Sequence, residues 1–131
     1  KLPQSGKFQW EERIESGLQV LGDEPLLHRI LSNYLDNALK FARSRIAVTL
    51  KKTQEGICLT VEDDGNGIPP GELDKIWYQA DPSRNKKQNM GLGLGLSFVA
   101  AAAKLMKGKV RAESQMGKGS TFFLWLPPQE R

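Results

Sequence analysis

Asn33, Asn37 and Lys40 are separated by four and three residues. At about 100° per residue they fall within about 60° of one another on a helix. Two amides and an ammonium on one stripe suit a metal–phosphate group. The amide carbonyl of Asn37 is a hard oxygen donor for Mg²⁺, and Lys40 offsets phosphate charge. The same spacing also describes a polar face turned to water. A second segment runs Val61-Glu62-Asp63-Asp64-Gly65-Asn66-Gly67-Ile68-Pro69. Strand alternation places Asp63 on the face of Ile57, Leu59 and Val61. A carboxylate there needs a partner, because an unpaired buried charge is costly. A ligand amino group would serve. Asp64 points the other way and belongs to the turn. Gly65 and Gly67 permit a tight turn and close approach of a ligand to backbone. An ordinary Asp-Gly turn has the same appearance. The third segment is Gly91-Leu92-Gly93-Leu94-Gly95-Leu96-Ser97. Glycine-rich backbone running into a helix N-terminus is an anion site. Its spacing is not that of a dinucleotide-binding turn, and no Walker A sequence is present. A flexible start to a helix is the plainer alternative.

These residues need elements to hold them. Residues 24–42 are expected to form a helix, with Asp23 as N-cap and Pro25 in the first turn. Its apolar stripe is Leu27, Leu31, Tyr34, Leu35, Ala38 and Ala42, nearly opposite the Asn33–Asn37–Lys40 stripe. Ile46, Val48 and Leu50 alternate, as do Ile57, Leu59 and Val61, with a turn at Gln54-Glu55-Gly56 between them. Residues 12–21 are weakly strand-like. Residues 72–77 read as a short helix and 78–89 as a polar surface loop. Residues 92–106 read as a helix stopped by Gly108. Residues 110–114 and 121–126 close the pattern as a hairpin around Gly117-Lys118-Gly119. The expected fold class is α+β: a two-layer sandwich, its mixed and mostly antiparallel sheet covered on one face by helices. Residues 1–10 are assigned to a linker end and 11–131 to one domain.

Composition narrows the function classes. The chain has 131 residues, 39% hydrophobic and 26% charged, which suits one globular core. One cysteine and one histidine exclude an internal disulfide and a Cys- or His-based metal site. No apolar run approaches the roughly 20 residues that span a bilayer. The net charge of +4 fits an anionic ligand, a nucleic acid or merely a solvated surface, and on composition alone the last is the plainest reading. Arg43, Arg45, Lys51 and Lys52 are scattered without an aromatic platform, so no nucleic-acid partner is expected. The chain begins with Lys1, so it is expected to be a fragment.

Asn-x₃-Asn-x₂-Lys on a helix, Asp-x-Gly-x-Gly after a strand, and Gly-x-Gly-x-Gly into a helix form a specific ordered set. With the tail from Gly108 to Phe122, it resembles the ATP-binding catalytic domain of sensor histidine kinases. These share the Bergerat-type fold with gyrase-type, Hsp90-type and mismatch-repair ATPases. The resemblance covers about residues 18–127. It implies ATP and Mg²⁺ as cofactors, with Asn37 on the metal, Lys40 on phosphate, and Asp63 accepting from the adenine amino group. It further implies that Gly65, Gly67 and Ile68 shape the adenine pocket. Gly91, Leu92, Gly93, Leu94, Gly95 and Leu96 would form the lid hinge and phosphate cradle. Thr121 resembles a late pocket-floor threonine. Relatives that hydrolyse ATP carry Glu at the position of Asn33. An amide is no general base at neutral pH, so Asn33 implies phosphoryl transfer rather than hydrolysis.

The lid departs from the family pattern. The segment Ile76-Trp77-Tyr78-Gln79 is about three residues short, and Gln79 stands where an arginine is usual. Tyr78, Arg84, Lys86 and Lys87 are the remaining candidates for nucleotide contact there. His28 lacks the surroundings of a phosphoacceptor and reads as a helix-surface histidine. The acceptor would therefore lie on a separate histidine-bearing dimerisation domain, with a response regulator downstream. The parent is expected to be membrane-anchored with this domain in the cytoplasm, and the isolated domain monomeric. The altered lid leaves a second reading, a nucleotide-sensing or protein-docking module near Trp77 and Tyr78; a third is a serine kinase of the anti-sigma type, a family that shares this ATP-binding fold.

Overall fold

The computed structural model describes residues 8–16, 24–54, 56–77 and 93–127. The elements are β1 (Gln9–Ile14), α1 (Glu24–Phe41), β2 (Arg45–Thr53), β3 (Gly56–Asp63), α2 (Pro70–Leu73), α3 (Gly93–Leu105), β4 (Lys109–Gln115) and β5 (Gly119–Leu126). The five strands make one sheet in the order β1-β2-β3-β5-β4. β1 runs parallel to β2, and every other pair is antiparallel. This is the α+β sheet expected from the sequence. α1 packs against β3 and α3, and α3 packs against β4.

The core lies between the helices and one sheet face. Ile46, Val48, Val61, Phe122 and Leu124 come from the strands; Ile30, Tyr34, Leu96, Val99 and Ala102 come from the helices. β5 alternates strictly, with Ser120, Phe122, Leu124 and Leu126 buried and Thr121, Phe123 and Trp125 partly exposed. On that other face Phe123 and Trp125 stack in parallel, with centroids 5.2 Å apart.

Three boundaries differ from expectation. β1 begins at Gln9, inside the segment assigned to the linker, and ends at Ile14 rather than continuing toward residue 21. Its alternation is hard to see because it is an edge strand with mostly exposed charges, paired on one side only. α2 begins at Pro70, before the expected Glu72, because proline is preorganised for the first helical turn. α3 is not stopped by Gly108 in the left-handed position. Lys107 takes that conformation, with φ 61°. The Gly108 N–H donates to Ala103 O at 2.8 Å and the Lys107 N–H to Lys104 O at 3.0 Å. This pair of bonds is the Schellman arrangement, with lysine where glycine is usual. Gly108 is required for another reason: a Cβ there would lie 2.4 Å from the Trp125 carbonyl oxygen.

Two substitutions separate these roles. Lys107→Gly is expected to raise stability by roughly 0.5 kcal/mol, because it removes left-handed strain at a small entropic cost. Gly108→Ala is expected to lower it by about 1–3 kcal/mol, because backbone must move. Thermal midpoints measured side by side check both signs.

Candidate nucleotide site

Asp63 is the last residue of β3, opposite Ile46 on one side and Ser120 on the other. It is 5% exposed, on the helix-covered face as strand alternation requires. Desolvation by burial pushes its carboxyl above the usual carboxylate range, while N–H groups of Gly65 and Ser120 oppose that rise. The Gly65 N–H donates to Asp63 Oδ1 at 2.8 Å. Asp63 opens onto a cavity of about 230 Å³. Ile68 and Phe122 supply apolar walls, Gly67 and Asn66 the loop side, Phe41 the helix side, and Ser120 a hydroxyl. A carboxylate held in an apolar pocket can accept from a ligand amino group and will reject a ligand showing an oxygen there.

The glycines of the loop make close approaches within the domain itself. A Cβ on Gly65 would lie 2.2 Å from Phe41 O, and one on Gly67, at φ +86°, 2.5 Å from Gln115 O. The loop is thus pressed between the end of α1 and the β4–β5 hairpin. The Gly117 N–H donates to Asn66 O at 2.7 Å, and the Ile68 N–H to Ser114 Oγ at 2.6 Å.

Asp64 faces away, as expected, and clamps the turn after α1. Its Oδ1 accepts the backbone N–H groups of Arg43, Ser44 and Arg45, each at 3.0 Å, and its Oδ2 accepts the Ser44 hydroxyl at 2.7 Å. Desolvation works against the ionised form, but these hydrogen bonds outweigh it and hold the carboxyl well below its usual range. Arg43 and Arg45 are engaged inside the domain: Arg43 donates to the Asn66 side chain, and Arg45 pairs with Glu11 and Glu62.

On α1 the stripe expected to lie opposite the apolar face borders the buried one instead. Asn37 is 6% exposed, and Ile30 and Tyr34 on the same side are fully buried. Ile30 was absent from the expected apolar set, and its burial turns the inner face by about a quarter turn toward Asn37. The Asn37 Nδ2 is buried without a hydrogen-bond partner among the described residues. Asn37 sits one turn, about 6 Å, before Phe41, which lines the cavity. One turn earlier still, Asn33 Nδ2 donates to Gly95 O at 3.2 Å and ties α1 to the first turn of α3. Lys40 is exposed at the rim of this row. The orphaned Nδ2, one helical turn from the cavity, fits a phosphate oxygen as acceptor, and the oxygen of the same side chain is a donor of the kind Mg²⁺ takes.

Two assigned positions fall elsewhere. Thr121 pairs with Glu62, so its side chain lies on the sheet face opposite Asp63; Ser120 holds the pocket position. The alternation Leu126, Leu124, Phe122 leads to Ser120 and was the available signal. Leu96 is fully buried in the hydrophobic core, so its side chain serves packing rather than ligand contact. Gly95 faces Asn33, and Gly93 and Leu94 lie in the first turn of α3. Tyr78, Arg84, Lys86, Lys87, Gly91 and Leu92 lie outside the described residues. Phe41, Asn66 and Ser114 had not been singled out. Trp77, a candidate docking residue, packs its ring against Tyr34 and Phe122, with centroids 6.5 and 6.1 Å away. His28 is exposed on α1. Among the described residues, no helix is long and apolar enough to cross a membrane.

A buried carboxylate on a cavity beside an amide-bearing helix fits a nucleotide-binding class, and the family that the chain matches is one of ATPases. Residues 22–130 match the histidine kinase-, DNA gyrase B- and HSP90-like ATPase family, and the chain belongs to it. It is 39% identical over 125 residues to the aerobic respiration control sensor protein ArcB of Escherichia coli K12. That alignment takes in 92% of this chain and 16% of ArcB. Among solved structures, the mycobacterial sensor histidine kinase MprB superposes with a TM-score of 0.78 at 28% identity, covering 95% of this chain and 85% of that one. Full-length ShkA in complex with AMPPNP gives a TM-score of 0.76 at 26% identity, covering 94% of this chain and 27% of ShkA. The chain is thus homologous to histidine kinase catalytic domains and spans a minor part of ArcB and of ShkA.

The two neighbouring aspartates have opposite effects on stability. Asp63→Asn is expected to stabilise the ligand-free domain at pH 7, since a carboxyl with a raised pKa destabilises the fold above that pKa. The gain shrinks as pH falls and the wild-type carboxyl protonates. Asp64→Asn is expected to destabilise by about 1–3 kcal/mol at pH 7. Asp64's contribution is present above its unfolded pKa of about 4 and is lost as pH falls below it. Denaturant titrations of both variants between pH 3 and 7 check the two signs.

Proposed function

We propose that this chain is the ATP-binding catalytic domain of a sensor histidine kinase. It would bind Mg-ATP and pass the γ-phosphoryl group to a histidine on a dimerisation domain outside this sequence. The observation that carries the reading is Asp63: a buried carboxylate, unfavourable for the empty fold, facing a cavity of about 230 Å³. Its membership of the ATPase family and its likeness to ShkA, solved with AMPPNP, support it.

Asp63 would accept from the exocyclic amine of adenine, with Ile68 and Phe122 against the base. Asn37 and Lys40, along α1 from the cavity, would hold the metal and phosphates. Mg²⁺, when bound, would neutralise charge on the phosphate oxygens. Among the described residues no three His, Cys, Asp or Glu side chains converge on a metal position. The remaining ligands would be phosphate oxygens and water. Asn33 spends its amide on the Gly95 carbonyl and offers no base to activate water. That favours transfer to a protein acceptor over hydrolysis. A response regulator would take the phosphoryl group from the histidine, with the domain on the cytoplasmic side of an anchored parent.

Calorimetric titration with ADP and a non-hydrolysable ATP analogue, with and without Mg²⁺, tests the reading. Adenine-selective binding is expected, weakened about 10- to 100-fold by Asp63→Asn through loss of a charged hydrogen bond. Asn37→Ala should remove the Mg²⁺ dependence. No binding at millimolar nucleotide would overturn the assignment. Binding without transfer to a histidine-bearing dimerisation domain would leave a nucleotide-sensing module.

A further inference from the structure

Ser114 lies on β4 and faces the Asp63 loop, and its hydroxyl has three partners. The Ile68 N–H donates to Ser114 Oγ at 2.6 Å, Gly119 O lies 3.1 Å away, and Ser120 Oγ lies 2.9 Å away. A serine hydroxyl has one proton and two lone pairs. One lone pair is taken by Ile68. If the proton goes to the Gly119 carbonyl, the second lone pair can only accept the Ser120 proton. Ser120 is 7% exposed and lines the same cavity as Asp63. With its proton directed at Ser114, Ser120 shows the cavity only acceptor lone pairs.

We propose that Ser114 is a specificity-determining positioning residue. It fixes the Ser120 hydroxyl as an acceptor and seats Ile68, so that the pocket selects a ligand whose edge carries an amino group. The inference rests on the nucleotide reading above and assigns a source of base selectivity outside the cavity. Asp63 accepts one hydrogen of an exocyclic amine, and Ser120 supplies a further acceptor on the same wall. A base with a carbonyl in place of the amine meets two acceptors and no donor. Without Ser114, the Ser120 proton is free to turn into the cavity and meet such a carbonyl.

The readout is the ratio of affinities for ADP and inosine diphosphate, which differ at C6, amine against carbonyl, and with it at N1, lone pair against N–H. The wild-type chain is expected to prefer ADP. Ser114→Ala should lower the ratio about three- to tenfold, the usual worth of one neutral hydrogen bond. Ser114→Thr, which keeps the hydroxyl, should restore it. Ser120→Ala reaches the same wall directly and should lower the ratio similarly. The double alanine variant should be no worse than either single one. A purely structural role for Ser114 would weaken both nucleotides in parallel and leave the ratio unchanged; that result overturns the proposal. So does a Ser120→Ala ratio equal to wild type, which stands as the test if Ser114→Ala does not fold. Failure of the wild type to bind either nucleotide would instead remove the nucleotide reading, and this inference with it.

Discussion

The burial of one carboxylate organises the whole site. Asp63 ends the middle strand of a sheet, under two helices, where an ionised group is unfavourable. The fold tolerates it by supplying N–H donors from two directions, Gly65 on its own loop and Ser120 on β5. Each donor imposes a condition. Gly65 must lie against the Phe41 carbonyl, which fixes the end of α1. Ser120 must stand opposite Asp63, which fixes the β3–β5 register. A one-residue slip would exchange Ser120 for Thr121 and turn the hydroxyl to the other face.

The remaining contacts brace the loop between these walls. Asp64 gathers three backbone N–H groups from the turn after α1, and the β4–β5 hairpin takes the Asn66 carbonyl and the Ile68 N–H. Asn33 performs the same task at the far end of the site, where it holds the first turn of α3 against α1. The polar residues near the cavity therefore divide in two. Asp64, Asn33 and Ser114 are occupied by the protein, whereas the Asn37 amide nitrogen has no partner among the described residues. Under the proposed function, that amide is the one of this row left to meet a ligand.

Much of this was legible in the sequence, for identifiable reasons. The β2–β3 hairpin and the side of Asp63 followed from a period of two, which leaves little freedom. The α1 span followed from its apolar period, but its inner face did not. Leu27, Leu31 and Leu35 suggest one direction, and only packing shows that Ile30 is fully buried with Tyr34 and that Asn37 turns inward. Leu96 misled in a similar way: a residue just after a run of glycines looks like lid, yet one turn into α3 it has already reached the core. Ser114 was invisible because its three partners come from a loop and a strand that only tertiary structure brings together.

The sheet order has a further consequence for how the domain is made. β5 is the last of the described strands along the chain, yet it lies between β3 and β4. On a ribosome, synthesis proceeds from the N-terminus, and the strands before it can at most form the β1-β2-β3 half. Until Leu126 has cleared the exit tunnel, Asp63 has no second wall, α3 has no completed sheet to cover, and β3 presents an open edge. The nascent domain therefore becomes competent in one late step, and its most exposed moment comes just before that strand arrives.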